Sequence, residues 1–181
     1  MAQRNFTAVG LVLKRVKVGE TDVIISLLTQ ERGKLVCRAK GVRTLKSTKR
    51  SALQPGNLVR FHWIETKNMP LLTQALLEED CSLMESTLMR MRQITQLLEL
   101  CERLFIETEL EQTIFNQVLH LRQNIVQNRL AKTEVQNTFR SIITQLGYQD
   151  PEDSKYETIG DYIGALSDKP MRSYNFLSVK R

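Results

Sequence analysis

The chain has too little of several things to read as an enzyme, a secreted scaffold or a membrane protein. Its three cysteines, Cys37, Cys81 and Cys101, are odd in number, far apart and without a Cys-x-x-Cys pair. Neither a disulfide framework nor a zinc site is expected, and a reducing cytoplasm is the expected setting. No apolar run approaches the roughly 18 residues that span a bilayer. The run 6–13 leads straight into Lys14 and Arg15 without a small-residue cleavage site, so it reads as a strand and not a leader. His62 and His120 stand alone, and spacing offers no Ser-His or Cys-His pair. Arg32-Gly33-Lys34 lacks the upstream glycine of a phosphate loop. Glu78-Glu79-Asp80 is the one contiguous acidic trio, and a solvated junction is a better reading of it than a Mg²⁺ site. No catalytic residue, cofactor or metal is expected.

The most telling absence is of one sign of charge. Between Glu31 and Glu65 there is no acid, while Arg32, Lys34, Arg38, Lys40, Arg43, Lys46, Lys49, Arg50 and Arg60 all fall in that window. Nine like charges repel on a compact surface unless an extended anion lies across them, and a phosphate backbone is the commonest such anion. A solvated basic loop is the plainer alternative. The whole chain carries +6, but unevenly. Residues 1–77 hold fourteen Lys and Arg against four Asp and Glu, a net of +10; residues 78–181 hold twelve against sixteen, a net of −4. The change near Leu77 divides the chain into a domain at 1–80 and a second at 81–181, with different partners.

Period-2 patterning fills the first part. Residues 6–18 and 22–29 are rich in Val, Leu and Ile, with Gly19-Glu20-Thr21-Asp22 between them as a turn. Residues 34–42 alternate, with Leu35, Cys37 and Ala39 on one face and Lys34, Arg38 and Lys40 on the other; Val36 is the exception. Residues 41–51 have no apolar period and read as a basic connector, closed by the turn Pro55-Gly56. In 58–65, Val59, Phe61 and Trp63 oppose Arg60 and His62, and a fifth strand runs 71–77. Five short strands with a longer connector between the third and fourth match an OB-type β-barrel, with an SH3-like barrel as the competing topology.

After Glu78 the period becomes helical. Leu88, Met91, Ile94, Leu98, Cys101 and Phe105 trace one helix; Leu110, Ile114, Val118, Leu121 and Ile125 trace a second. A third begins at a Thr133/Gln136 capping box and stops at Gly147, and Ser154 with Glu157 caps a fourth through Ile159, Ile163 and Leu166. The expected class is α+β: a five-stranded barrel followed by an all-α domain.

At this point an ordered set of short matches identifies a family. Gly10-Leu11-Val12-Leu13, Gly19-Glu20-Thr21-Asp22, Leu28-Thr29, Glu31-Arg32-Gly33-Lys34, Ala39-Lys40-Gly41-Val42-Arg43, Lys46-Ser47 and Leu53-Gln54-Pro55 together resemble the bacterial RecO family of DNA-repair mediators. The resemblance implies an N-terminal OB fold, a helical C-terminal domain, and binding of single- and double-stranded DNA. It also implies annealing of complementary strands, and partnership with RecR and the single-strand-binding protein in loading the RecA recombinase. It places the protein in the bacterial cytoplasm at the nucleoid. Residues 139–148 resemble the family's Leu-Gly-aromatic helix end, and 169–173 with Phe176 and Leu177 resemble its last segment. The four-cysteine zinc cluster that many members carry between them is missing, so the chain reads as a shortened member. Under the same resemblance, grooves edged by Arg122, Arg129 or Arg140 would receive the acidic tail of the single-strand-binding protein.

The candidate DNA ligands are thus Lys34, Arg38, Lys40, Arg43, Lys46, Lys49, Arg50 and Arg60. Lys34, Arg38 and Lys40 share one strand face, and 43–50 would close over it as a mobile flap. With six to eight phosphate contacts, single-strand affinity should fall with salt at a log–log slope of about −4 to −6. Only one tryptophan is present, and alternation assigns Trp63 to the core. Binding would therefore be led by the backbone and tolerant of sequence, as annealing requires. An RNA-binding OB protein and a protein-only adaptor are the alternatives.

Overall fold

The structure is a computed structural model that describes residues 5–81 and 87–173. It divides into two compact units, Met1–Cys81 with Phe105–Glu111, and Ser82–Leu104 with Gln112–Arg181. In the first unit β1 (Asn5–Val18), β2 (Asp22–Thr29), β3 (Gly33–Ala39), β4 (Leu58–Ile64) and β5 (Leu71–Glu79) close into a barrel in the order β1-β2-β3-β5-β4. All neighbours are antiparallel except β3 and β5, which meet in parallel at Arg38↔Leu71 and Ala39↔Leu72. That crossover closure is the OB plan, and a simple meander does not produce it.

β1 is long because it serves both walls. Its first half, Asn5 to Leu11, pairs with β4, and from Gly10 onward it pairs with β2, with a bulge between Val12 and Lys14. A bulge bends and twists a strand, which is what a barrel corner needs. Gly10 sits at this corner because a Cβ there would lie 3.0 Å from the Phe61 ring and 3.1 Å from Thr29 Cγ2. The interior holds Val12, Ile25, Leu27, Leu35, Cys37, Val59, Phe61 and Leu72 at 0–1% exposure. Trp63 lies in this core, stacked on Phe61 (5.1 Å) and Phe6 (5.2 Å).

Two features depart from the strand pattern. Residues 41–51 are not an open connector: successive turn hydrogen bonds lead into a one-turn helix, α1 (Lys49–Ala52), whose Ala52 joins Leu53 in the core. Too short for helical periodicity, α1 is fixed from outside. Asn57, 2% exposed, donates through Nδ2 to the Ser51 and Ala52 carbonyls and accepts the Cys81 N–H at 2.8 Å. Phe105–Glu111, part of the helical pattern's edge in sequence, instead straps the barrel. The Lys34 N–H donates to the Ile106 carbonyl and the Leu110 N–H to the Gln30 carbonyl, on the β3 edge that β5 leaves open.

The second unit contains α2 (Leu88–Leu104), α3 (Gln112–Val126), α4 (Lys132–Gln145) and α5 (Ile159–Leu166), with α2 against α3, α3 against α4, and α5 against both α2 and α4. The apolar stripes are buried or half-buried as expected, except that Leu88 and Met91 in the first turns of α2 and Leu166 at the end of α5 are exposed. The caps differ from the sequence reading. α4 starts one residue before Thr133, with the Glu134 carboxylate accepting the Ala131 N–H. Thr158 caps α5 by accepting from the Asp161 N–H, while Ser154 ends a 3-10 turn at Pro151–Asp153. At α5 a second Ser/Thr with an acid three residues on takes the role, whereas at α4 the N-cap is Ala131 and only the Glu134 carboxylate three residues on supplies a cap. Gly147 ends α4 at φ +87. Among the described residues no helix is long and apolar enough to cross a membrane. Phe176 and Leu177 lie outside the described residues.

Candidate nucleic-acid interface

Register sorts the candidate cations into three places. Cross-strand partners share a face of the sheet. Leu35, Cys37 and Ala39 pair with core residues of β2, so Lys34 and Arg38, alternating with them, stand on the outer wall. Arg38 there is flanked by Ile24 and, one strand further, Val16; Lys40 follows just beyond the strand. No aromatic ring pairs into this stretch of the outer wall.

Arg43, Lys46, Lys49 and Arg50 belong to the α1 end of the barrel. The Arg43 guanidinium donates to the Gly19 carbonyl at 2.8 Å, which ties the segment to the β1–β2 turn. Lys49 is half-buried, its ammonium donating to the Lys40 carbonyl at 3.1 Å and the Thr73 carbonyl at 3.5 Å, and burial lowers its pKa. Lys46 and Arg50 are exposed. The segment is thus folded onto the barrel end by hydrogen bonds, not an open flap.

Arg60 stands apart. It is on β4, between Val9 and Leu76, and its Nε is 2.6 Å from Glu78. His62 is also on this wall, with Nδ1 2.6 Å from the Thr7 hydroxyl. No carboxylate orients that imidazole among the described residues, so the pair lacks the third member of a hydrolytic triad.

The acid-free window is not free of acids in space. Arg38 makes a two-point contact with Asp22, Nη2 at 2.7 Å and Nε at 3.0 Å from the same oxygen. The Gly41 N–H, then the Arg38 guanidinium, hold the Asp22 carboxyl down at about 2. Arg32 meets Glu65 at 3.4 Å and its guanidinium lies 5.3 Å from the Phe6 ring centre. Among the described residues, Arg32, Arg38 and Arg60 of the nine window cations therefore already hold carboxylates supplied by the segment after β4, β2 and β5. Counting charge along the sequence misses this because a sheet brings residues 16 to 33 positions apart into contact.

One functional candidate escaped the sequence reading. Arg15 pairs with Ile25, a core residue, so its Cβ is on the inner side of the sheet at the barrel end closed by α1. Its Nη1 reaches the Arg50 carbonyl at 3.4 Å. Its guanidinium has a lowered pKa from burial, then from the nearby charges of Arg50 and Arg43. Strand alternation required one of Lys14 and Arg15 to face inward, but only the position of α1 shows what it would find there.

In the helical unit the three arginines expected to edge acidic-peptide grooves stand differently. Arg122 is buried at 2% exposure, Arg140 is held by Asp150 (3.1 Å) and Glu152, and Arg129 is exposed. Among the described residues no group of three His, Cys, Asp or Glu could hold a metal. Cys37 is pushed up to about 12 by burial, and Cys101 is also pushed up by burial, so neither is a reactive thiolate.

Residues 1–79 match the family described as Recombination protein O N terminal. Similar curated proteins, each called DNA repair protein RecO, include one from Heliobacterium modesticaldum, 37% identical over 101 residues, 56% of this chain and 37% of that one. One from Moorella thermoacetica is 30% identical over 110 residues, 61% of this chain and 41% of that one. One from Myxococcus xanthus is 43% identical over 58 residues, 32% of this chain and 24% of that one. The chain therefore spans less than half the length of these relatives.

Proposed function

We propose, on the premise that residues 1–79 belong to the recombination protein O N-terminal family, that this protein binds DNA and acts in recombinational DNA repair. The observation that carries the reading is the closed OB barrel whose family match coincides with its basic residues. Its role is that of a mediator without bond-breaking chemistry. It holds single strands by their phosphates, leaves base edges free, and so lets complementary strands anneal. Backbone-led binding fits the ring-poor outer wall, since stacking platforms need exposed aromatics and Trp63 is spent in the core. The relatives' name supports repair as the setting. Double-stranded DNA as a second ligand, and RecR, the single-strand-binding protein and RecA as partners, belong to the same proposal, as does a location at the nucleoid.

The test is annealing of two complementary oligonucleotides, bare and coated with single-strand-binding protein, by the full chain. The expected result is acceleration of both reactions, with a loss of at least severalfold in the Lys34→Ala/Arg38→Ala/Lys40→Ala variant. No acceleration of either reaction overturns the mediator role, and tighter binding to RNA than to DNA of equal length replaces DNA with RNA as the ligand.

A further inference from the structure

We infer that the principal phosphate-binding locus is a cluster of three guanidinium groups, Arg15, Arg43 and Arg50, gathered at the α1 end of the barrel from β1, the turn after β3 and α1. The inference deepens the DNA-binding reading and rests on it: the ligand is a phosphodiester of single-stranded DNA.

Arg15 and Arg43 are held by main-chain acceptors and not by acids, and the charges of Arg50 and Arg43 both act on Arg15. Arg43 is anchored on the Gly19 carbonyl, and its own N–H donates to the Thr21 carbonyl, so it is tied to the β1–β2 turn twice. Arg15 is anchored on the Arg50 carbonyl. None of the three makes an ion pair among the described residues. Each anchor bond uses a single guanidinium nitrogen, and a guanidinium carries five N–H donors, so most of its fork is left for an anion. The crowding of Arg15 by Arg50 and Arg43 is unfavourable, and an anion between them relieves it. Arginine's planar fork matches phosphate oxygens in pairs, which suits it to this task.

The outer wall is a poorer locus by the same criteria. There Arg38 is engaged in two bonds to Asp22, and a phosphate would have to displace that carboxylate. Near the Lys34 end the strap brings exposed Glu107 and Glu109 beside β3, through the bond from the Lys34 N–H to the Ile106 carbonyl. A backbone is therefore drawn to the α1 end and repelled from the strap end.

The experiment compares two triple variants that each remove three positive charges. Arg15→Gln/Arg43→Gln/Arg50→Gln removes the cluster, and Arg32→Gln/Arg38→Gln/Arg60→Gln removes guanidiniums that already hold carboxylates. Affinity of the full chain for a fluorescent thirty-residue oligo(dT) is measured at several salt concentrations, with thermal melting to check folding. The cluster variant is expected to bind at least ten times more weakly, several times more than the paired variant, with a shallower salt dependence. If Arg15→Gln unfolds the barrel, the double variant Arg43→Gln/Arg50→Gln carries the same test, with a smaller but still larger loss than the paired variant. Equal losses in the two sets, or a greater loss in the paired set, overturn the cluster while leaving DNA binding intact. Wild-type protein that does not bind oligo(dT) in a salt-dependent way sinks the cluster and the DNA reading together.

Discussion

Asp22 shows how one residue sets the charge that a surface presents. It is the first residue of β2, and it bonds the Gly41 N–H and the Arg38 guanidinium together. Its pKa is depressed to about 2 in the folded protein, against about 3.9 in an unfolded chain. A depressed carboxylate stabilises the fold above its unfolded value, and that contribution is lost as pH falls through the folded one. Asp22→Asn is therefore expected to flatten the pH dependence of the melting temperature between about pH 4 and pH 2. Because Arg38, the other half of the pair, is half exposed to solvent, the effect on stability at neutral pH should be small. The same substitution releases Arg38 and removes a negative charge from the outer wall. Single-strand affinity should rise severalfold at low salt, measured by fluorescence anisotropy. A fall in affinity would mean that Asp22 orients Arg38 for the strand and does not compete with it.

At the scale of elements, the strap and the seat of residues 172–173 on α2 are held by single residues whose loss can be measured. Gly33 has φ +59, and a Cβ there would fall 2.2 Å from the Thr108 carbonyl oxygen and 2.4 Å from that of Ile106. Gly41 has a similar φ of +66 with nothing within 4 Å. Gly41→Ala thus costs only the left-handed conformation, about 1–2 kcal/mol. Gly33→Ala adds displacement of the strap and should cost at least about 2 kcal/mol more. For a chain of this size, each kcal/mol moves the melting temperature by roughly 2–4 °C. Equal shifts for the two variants would show that the strap does not rest on β3. In the helical unit Glu99 on α2 accepts the Arg172 and Ser173 N–H groups, both at 2.8 Å, and the Arg103 guanidinium at 2.7 Å. Burial alone would raise its pKa, but the Ser173 and Arg172 N–H groups and Arg103 outweigh it, so the net shift is downward. Its stabilisation is present above the unfolded value of about 4.3 and fades as pH falls below it. Glu99→Gln should cost about 2–3 kcal/mol at pH 7 and less at pH 3, read by denaturant melts. Strands and long helices were legible because alternation and 3–4 spacing persist over many residues. α1 and the strap were not: each is set by contacts across the fold, α1 by Asn57 and the strap by Gly33. Of the candidate site, the outward face of β3 was legible from Lys34, Arg38 and Lys40. Its neutralisation by Asp22, and the place of Arg15, depended on register.

For the whole molecule the deciding quantity is how many cations remain for phosphate once internal pairing is counted. The window holds nine, and Arg32, Arg38 and Arg60 are matched by Glu65, Asp22 and Glu78. Lys40, Arg43, Lys46, Lys49 and Arg50 remain without a carboxylate among the described residues, and Arg15 joins them from β1. Lys49 is half-buried and bonded to two carbonyls, so it contributes field more than contact. About five direct phosphate contacts on single-stranded DNA give a log–log salt slope of about −3 to −4. The unpaired sequence count gave −4 to −6, so the two readings separate within one titration. A slope near −1 would reduce the basic surface to a solubility device, and a slope beyond about −5 would mean that phosphates displace the carboxylates from Arg38 and Arg60. In that case Asp22→Asn would steepen nothing further, because the wild type would already release Arg38 on binding. The helical unit is acidic on balance and should add little to the slope. Whatever it contributes to repair would come through protein contacts, which counterion release from DNA does not register.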